Sequence, residues 1–381
     1  MRILVLNAGK LASIEGAVVR FRNLVIERAT RTRDEVVWVD PVTSRGYYKT
    51  EDLDLRVPKN VLLVPGGKCA SNPLLELAAR ERHFLAAAKR FAGKADVAVF
   101  YNPWGTRLAR GYLKSKGVPL VFDYIDLMQA FRKNPVERAA ALHSTIQAVK
   151  QSDLVVTTAA KLQEFASRHN ENCVLVPNGV DVAKMRRVKP KKIARPAVGF
   201  VGGFGDWVDF DAVVPAIKAN PRANFYFIGD GVQRGHLLKK TCGLRNAFVS
   251  ETFVPYDEAR RWMAAFDVCV IPFEINELTD AVCPLKLFEF WSLRKPVVAS
   301  PTYEIKRIAT GGEALFAATP EEWTENIKRM LSDKRLARRF AARGFAKCRE
   351  YDWRALSKKY RAALKKAVSS SKTVLCDSVP A

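Results

Sequence analysis

Long apolar runs are missing from this sequence of 381 residues. The longest stretch without Asp, Glu, Lys or Arg is Ala139 to Val149, eleven residues, whereas a membrane-spanning helix needs about 20 apolar residues. The apolar segment near the amino terminus, Ile3 to Leu6, is too short for the core of a signal peptide. We therefore expect a cytoplasmic protein without a membrane-spanning helix.

Metal-binding and disulfide patterns are also scarce. The seven cysteines are odd in number and show no C-x-x-C spacing, so neither a disulfide framework nor a zinc ribbon is indicated. The four histidines are dispersed, which argues against a histidine-rich metal site. We expect no metal site.

What is abundant is positive charge, on an otherwise ordinary globular composition with 48% hydrophobic residues. The net charge is +24 and is uneven: residues 1–195 carry +16, residues 196–327 carry −4 and residues 328–381 carry +12. Basic ends of this kind fit a well-solvated surface, an anionic membrane face or nucleic acid. Of the anionic partners we favour the membrane.

Short apolar segments alternate with helical spacing along the chain, and the pattern restarts after a basic stretch. Near-continuous Val, Ile and Leu strands predict parallel sheets covered on both faces. After the opening RILVLN, the predicted strands are Glu35–Val39, Val61–Val64, Val97–Tyr101, Leu120–Asp123, Leu154–Thr157 and Cys173–Val176, then Ala197–Val201, Asn224–Ile228, Ala247–Ser250, Val268–Pro272 and Val297–Ser300. The predicted boundaries are residues 1–184 for a first unit, 185–195 for a linker, 196–349 for a second unit, 350–368 for a helix and 369–381 for a disordered tail.

Glycines follow two strands of the second unit. Gly202, Gly203 and Gly205 come directly after one strand, and Asp230 lies between two glycines after the next. Without Cβ atoms, such turns let backbone N–H groups approach a diphosphate. A tight turn without a ligand is the alternative. The spacing is not G-x-G-x-x-G, which disfavours a dinucleotide-dependent dehydrogenase.

A lysine and a glutamate share one face of a predicted helix that begins at Pro284. Lys286 and Glu289 are three residues apart, so both side chains lie in the first two turns. An ammonium group neutralises phosphate, and a carboxylate accepts hydrogen bonds from both hydroxyls of a ribose. The pair predicts a nucleoside-diphosphate site; an exposed surface ion pair is the alternative.

These motifs together resemble the GT-B-fold glycosyltransferases, particularly glycosyltransferase family 4. The resemblance rests on VPNGVD (Val176–Asp181), GGFG, FIGDG and PLKLFEFWSLRKPVVAS, and it covers nearly the whole chain. It implies two tandem Rossmann-like, doubly wound parallel-sheet domains facing a central cleft. The C-terminal domain would bind the nucleotide-sugar, the N-terminal domain the acceptor, and the last helix would cross back to the N-terminal domain. It also implies Glu289 on the ribose and no essential metal.

The sequence departs from the family at one position. Family 4 members usually have two glutamates eight residues apart, and the earlier position here is Ala281. The P-x-K-x-x-E form is similar to a subgroup with xanthan-type glucuronosyltransferases and teichuronic-acid glycosyltransferases, in which the lysine contacts the donor phosphate. This leaves open whether the reaction retains or inverts the anomeric configuration.

Two carboxylates of the first unit are candidate catalytic bases. Asp123 ends a strand and Asp126 follows in a loop, in a segment similar to the subgroup's Y-D-x-x-D. Direct displacement at an anomeric carbon needs a base for the acceptor hydroxyl, and we favour Asp126 because a loop residue reaches outward. A capping or turn role is the alternative for both. Further acceptor-side candidates also follow strands: Gly9, Gly16, Asn102 and Trp104.

The sequence thus predicts a hexosyl- or glucuronosyltransferase without a cofactor, acting on a polysaccharide or lipid-linked acceptor. We expect it on the cytoplasmic face of the membrane, bound peripherally and not to nucleic acid. A sugar-nucleotide epimerase of the same fold is the alternative. A non-catalytic or nucleic-acid-binding protein on the same scaffold is a third hypothesis, prompted only by the basic charge.

Overall fold

The computed structural model describes residues 1–11, 16–43, 57–69 and 72–377, and the side chains up to residue 370. The chain forms two compact units. Unit 1 comprises Met1–Pro177 and Trp353–Ala381, and unit 2 comprises Asn178–Asp352. Among the described residues, every helix is too short or too polar to cross a membrane.

Unit 1 is built on a parallel sheet of seven strands in the order β3-β2-β1-β4-β5-β6-β7. Its central strands are buried along their whole length, which explains their unbroken apolar sequences. The strands are Arg2–Leu6 (β1), Glu35–Val39 (β2), Val61–Val64 (β3), Val97–Phe100 (β4), Leu120–Tyr124 (β5), Leu154–Thr157 (β6) and Cys173–Leu175 (β7).

Helices connect β1 to β2 and the successive strands from β3 to β7, as parallel pairing requires, and part of the connection from β2 to β3 lies outside the described residues. A π-helical turn, Arg22–Ile26, separates the first two helices, and 3₁₀ turns occupy Ala92–Lys94 and Met128–Phe131. The helices are Gly16–Phe21 (α1), Glu27–Ala29 (α2), Pro73–Phe91 (α3), Arg107–Ser115 (α4), Pro135–Gln151 (α5) and Ala160–Ser167 (α6).

Unit 2 repeats this plan with six parallel strands in the order β10-β9-β8-β11-β12-β13. The strands are Ala197–Val201 (β8), Asn224–Ile228 (β9), Ala247–Val249 (β10), Val268–Ile271 (β11), Val297–Ala299 (β12) and Leu315–Phe316 (β13). The helices are Val182–Met185 (α7), Phe210–Ala219 (α8), Arg234–Thr241 (α9), Tyr256–Ala265 (α10), Glu277–Asp280 (α11), Leu285–Ser292 (α12), Tyr303–Ile308 (α13), Pro320–Ser332 (α14) and Lys334–Cys348 (α15), followed by a 3₁₀ turn at Arg349–Tyr351.

Both sheets reverse their strand order at the same place, between β1 and β4 in unit 1 and between β8 and β11 in unit 2. In open parallel sheets, ligands bind at this switch point, beyond the carboxyl ends of the strands. The predicted pair of doubly wound parallel sheets is confirmed. In each unit the switch point lies at the carboxyl edge of the sheet, where the candidate glycine loops and carboxylates follow their strands.

The first crossing between the units lies at Pro177, earlier than the predicted boundary at residue 184. The basic stretch 185–195 packs on unit 2 rather than standing alone as a linker. Lys191 forms an ion pair with Glu258 at 2.5 Å, and its ammonium lies 4.6 Å from the Trp262 ring centre. Charge pairing and a cation–π contact therefore hold this charged segment on the surface of unit 2.

The last helix, Trp353–Asp377 (α16), belongs to unit 1. Arg361 donates to Asp34 Oδ1 at 2.6 Å, and Tyr360 and Leu364 are buried. Burial alone would raise the pKa of Asp34, but hydrogen bonds from Arg361, the amino terminus and Thr32 outweigh it and hold that pKa well below its usual range. The carboxylate thus stays charged and binds the helix to unit 1.

The helix continues through Asp377, past the start of the predicted disordered tail at residue 369. Ser, Lys and Thr occupy this part, and no proline or glycine interrupts it before Pro380. Residues 378–381 of the predicted tail lie outside the described residues.

Candidate functional site

The two glycine loops of unit 2 are hydrogen-bonded to each other. The Gly202 N–H donates to Ile228 O and the Phe204 N–H donates to Asp230 O, both at 2.9 Å. The Asp230 carboxylate accepts from the N–H of Gly231 within its own loop, at 2.8 Å. The loops after β8 and β9 therefore form one rim at the carboxyl edge of the sheet.

This contact needs glycine because the two backbones approach too closely for a side chain. A Cβ at Gly229 would lie 1.8 Å from Gly202 O, and a Cβ at Gly231 would lie 2.5 Å from Phe204 O. At Gly205 a Cβ would collide with the Trp207 ring at 2.4 Å. The glycines thus serve the packing of the loops, and Trp207 is a neighbour of the site that the sequence analysis did not identify.

Lys286 lies beside the glycine rim. Its Cε is 3.4 Å from the position that a Cβ at Gly202 would occupy, so the lysine stem runs past the first glycine of the loop after β8. Its Nζ is 3.2 Å from Glu289 Oε2. The predicted Lys286–Glu289 pair is therefore formed next to the predicted phosphate loop.

Glu289 is almost completely buried, with 3% of its surface exposed, so the pair is not an exposed surface ion pair. Tyr256 at the start of α10 donates to Glu289 Oε1 at 2.5 Å. Burial, followed by the Glu289 charge, raises the pKa of Tyr256 well above its usual value. The hydroxyl therefore keeps its proton and acts as a donor, and the carboxylate oxygens retain further lone pairs for a ligand.

The sequence analysis did not identify Tyr256. The signal was present, because Tyr256 follows β10 as the glycine loops follow β8 and β9, at the same edge of the sheet. What the sequence could not reveal is that a residue 33 positions before Glu289 holds its carboxylate.

The VPNGVD motif holds the segment in front of α12. Asn178 is buried, and its side-chain amide donates to Cys283 O at 2.8 Å, one residue before Pro284. Asp181 caps α7 by accepting from the N–H of Lys184. A motif distant in sequence thus fixes the backbone from which Lys286 and Glu289 project.

Ala281, at the position of the missing family glutamate, is a buried residue directly after α11. The nearby Glu274 is exposed, and its N–H donates to Trp207 O at 3.0 Å. Partial desolvation of the carboxyl and the charges of Asp209 and Asp211 raise the pKa of Glu274. This local acidic group does not restore the family spacing.

In unit 1, Asp126 lies in the loop after β5, as predicted from its position in the sequence. Tyr101, directly after the neighbouring strand β4, donates its hydroxyl to Asp126 Oδ2 at 2.8 Å. Burial raises the pKa of the Asp126 carboxyl, and the Tyr101 hydrogen bond and the Arg20 charge lower it only in part. A carboxylate with a raised pKa is a stronger base than an ordinary aspartate.

Asp123 has a different environment, which argues against the predicted catalytic role. It is fully buried and bound by Arg20, whose Nε lies 3.2 Å from both carboxylate oxygens and whose Nη2 lies 3.1 Å from Oδ1. Arg20 also donates to Pro177 O, and its guanidinium lies 5.9 Å from the Tyr360 ring centre. Because Asp123 has no access to a substrate, we assign it to this buried ion pair, which joins α1, β5 and α16.

The four acceptor-side candidates lie in or beside loops after β1 and β4. Asn102 Oδ1 accepts from the N–H of Trp104, and the side-chain amide of Asn7 donates to the carbonyls of both residues, at 3.1 and 2.7 Å. The Asn102 side-chain oxygen is therefore engaged in its own loop, and Asn7 is a loop-organising residue that the sequence analysis did not identify. Gly9 adopts a positive φ of 99° and Gly16 begins α1, with residues 12–15 of this segment outside the described residues.

In the part of the chain that the structure describes, no group of three or more His, Cys, Asp or Glu side chains is placed to hold a metal ion. The six described cysteines are free thiols. The expectation of metal-independent chemistry stays a prediction.

Comparison with known proteins places these features in a class. The family of glycosyl transferases group 1 matches residues 195–333. A putative teichuronic acid biosynthesis glycosyltransferase, TuaH of Bacillus subtilis, is 23% identical over 187 residues, or 46% of each chain. The match therefore spans about half the length of this curated relative.

Solved structures match over nearly the whole length. Sucrose-phosphate synthase from Thermosynechococcus elongatus superposes with a TM-score of 0.73 at 15% identity, covering 97% of this chain and 99% of that one. Anabaena HepE in complex with UDP superposes with a TM-score of 0.69 at 16% identity, covering 96% and 100%.

The fold of the chain is GT-B. Within that class, unit 2 contains the match to glycosyl transferases group 1, and the resemblance to family 4 and to teichuronic-acid glycosyltransferases is confirmed.

Proposed function

We propose that this protein is a glycosyltransferase that moves a sugar from a nucleoside-diphosphate donor to a polysaccharide or lipid-linked glycan at the cytoplasmic membrane face. The observation that carries the proposal is the buried Glu289, held by Tyr256 and Lys286 beside the glycine rim. A carboxylate fixed in this way binds the ribose hydroxyls, and Lys286 binds the diphosphate. Because the similar Anabaena HepE was solved in complex with UDP, a uridine donor is the first to test.

In the proposed reaction, Asp126 removes the proton of the acceptor hydroxyl, and the resulting oxygen attacks the anomeric carbon. The bond from that carbon to the donor phosphate breaks, and the nucleoside diphosphate leaves. Lys286 and the amino-terminal end of α12 neutralise the charge that develops on the leaving group. The matching family and the curated relative are glycosyltransferases, which does not favour the epimerase alternative.

We expect nucleotide binding to depend on Glu289. A nucleoside diphosphate at 100 times its Kd adds about 2.7 kcal/mol to stability, which for a unit of this size raises Tm by about 5–10 °C. The shift should be seen with one of UDP, GDP, ADP or dTDP and should disappear in Glu289→Gln. Thermal unfolding with each nucleotide measures it.

The matched control is Glu325→Ala, which removes an exposed glutamate from α14 of the same unit and should leave the shift intact. A Glu289→Gln protein that keeps the full shift would remove Glu289 from the donor site. Incubation with the donor alone tests the epimerase alternative, since an epimerase changes the sugar without an acceptor.

We further propose that no metal ion takes part, because Lys286 and the helix end supply positive charge to the diphosphate. Transfer measured after treatment with EDTA should keep the untreated rate. A loss of transfer that added Mg²⁺ or Mn²⁺ restores would contradict this proposal.

A further inference from the structure

Some of the most exposed apolar side chains of unit 1 lie at the beginnings of two long helices. Leu74 at the start of α3 and Val136 at the start of α5 are each 77% exposed. Both helices begin in the same way, with an asparagine side chain accepting two backbone N–H groups and a proline in the first turn. These tips are capped helix ends, and each residue from 133 to 140 is exposed.

Contacts through the beginning of α4 join the two tips. Glu81 of α3 accepts from the N–H groups of Arg107 and Leu108, at 3.1 and 2.8 Å. On the other side, the Arg132 guanidinium lies 5.0 Å from the Trp104 ring centre, shortly before α5 begins. The exposed apolar side chains at the beginnings of α3, α4 and α5 and at the end of the 3₁₀ turn before α5, here called the apolar rim, are Leu74, Leu75, Leu77, Leu108, Phe131 and Val136.

Basic residues outnumber acidic ones in the segments that carry the apolar rim. Residues 72–82, 104–108 and 128–138 contain six arginines and lysines but only three glutamates. Of these glutamates, Glu76 is paired with Arg80 at 2.5 Å and Glu81 binds backbone amides. Unit 1 as a whole, Met1–Pro177 and Trp353–Ala381, contains 34 basic and 18 acidic residues, a net charge of +16.

Single exposed leucines are common on protein surfaces and need no explanation. The apolar rim differs because its six members lie at helix beginnings and a turn that the Glu81 and Arg132 contacts link, in segments with more basic than acidic residues. Aliphatic tips with basic neighbours have the chemistry of a surface that enters the boundary between lipid headgroups and acyl chains.

We propose that unit 1 docks on an anionic lipid bilayer through the apolar rim, with the leucines and Val136 entering the acyl boundary and the surrounding arginines and lysines binding headgroup phosphates. Phe131 ends the 3₁₀ turn that follows the Asp126 loop, so docking brings the candidate base next to the bilayer surface. A lipid-linked acceptor would present its hydroxyl there. Only this last point rests on the proposed function.

The test is co-sedimentation of the full chain with phosphatidylcholine vesicles, with and without phosphatidylglycerol. We expect binding that requires phosphatidylglycerol and weakens at high salt. Because burial of one leucine side chain changes a partition coefficient about tenfold or more, Leu74→Ser/Leu75→Ser should bind at least about tenfold more weakly. The matched control is Val232→Ser/Ile275→Ser in unit 2, with exposures of 76% and 53% against 77% and 54%, and its binding should equal that of the wild type.

Equal binding of the wild type and Leu74→Ser/Leu75→Ser, or no binding to the anionic vesicles, would overturn the proposal. So would a concentration-dependent dimer, seen by sedimentation equilibrium, that the rim variant abolishes, because the occupant would then be a second copy. Nucleotide-induced thermal shifts, measured on the same variants, separate the two proposals. Vesicle binding without any nucleotide shift would contradict the proposed function and leave the docking surface standing.

Discussion

Replacing Asp126 with asparagine is expected to lower kcat for sugar transfer by about 10²–10⁴-fold while donor binding stays unchanged. General-base catalysis by a positioned side chain contributes a factor of this size. Asp126 lies in a loop of unit 1, whereas the proposed donor-binding residues Lys286 and Glu289 belong to unit 2, so we expect the substitution to leave donor binding intact. Steady-state kinetics and the nucleotide-induced thermal shift measure the two effects.

Asp153→Asn is the matched control. Asp153 directly precedes β6, and its carboxylate accepts from the N–H of Leu120 at 2.7 Å. Leu120 begins β5, so this bond lies at the opposite end of that strand from the Asp126 loop, and an asparagine oxygen can accept it equally. Its kcat should stay close to that of the wild type. A wild-type rate in Asp126→Asn would exclude Asp126 from proton transfer.

The pH profile gives an independent readout of the same role. Asp126 must lose its proton to act as a base, so the rate should fall as the pH drops through its raised pKa, above the ordinary aspartate value of about 3.9. The Tyr101 hydrogen bond stabilises the charged form. Its loss in Tyr101→Phe should therefore move the acid limb of kcat to higher pH by about one unit.

The largest loss of stability is expected for Arg20→Met. This change leaves the Asp123 carboxylate buried without its partner, which typically costs about 3–5 kcal/mol. Arg168→Met, which breaks an exposed pair with Glu164, should cost no more than about 1 kcal/mol. Urea unfolding of the two variants beside the wild type measures the difference.

A second substitution identifies the cause. Arg20→Met/Asp123→Leu replaces the whole ion pair with apolar side chains and should recover much of the lost stability. The deficit of Arg20→Met should also shrink as the pH falls, because an unpaired buried carboxyl has a raised pKa and the folded state binds its proton first. An Arg20→Met protein as stable as Arg168→Met would contradict a structural role for the pair.

Much of the secondary structure could be predicted because the spacing of apolar residues that indicates it extends over only a few positions. The strands Glu35–Val39, Val61–Val64, Leu154–Thr157, Ala197–Val201 and Asn224–Ile228 begin and end at the predicted residues. The predicted and observed bounds of other strands differ at their ends, because packing against neighbouring segments determines where a strand ends. Strand β5 runs one residue past Asp123 because Tyr124 is buried, with its ring 5.3 Å from that of Phe122.

Local sequence could not distinguish the roles of the two aspartates in LVFDYIDL. Both follow the same apolar segment, and only their positions suggested that Asp126 is the better base. Asp123 is paired with an arginine 103 residues earlier in the chain, and Asp126 with a tyrosine 25 residues earlier. Burial and charge pairing depend on which elements pack together, and local sequence does not contain that information.

The same distinction between local sequence patterns and contacts of distant segments applies to the whole molecule. The sequence alone determined the repeated strand–helix alternation, the glycine turns and the Lys286–Glu289 spacing, because periodicity and chain geometry act over a few residues. The tertiary structure decided that Tyr256 holds Glu289, that two glycine loops meet backbone to backbone and that Asp123 is buried in an ion pair. These outcomes arise from contacts between distant segments, where burial and desolvation set the behaviour of each group.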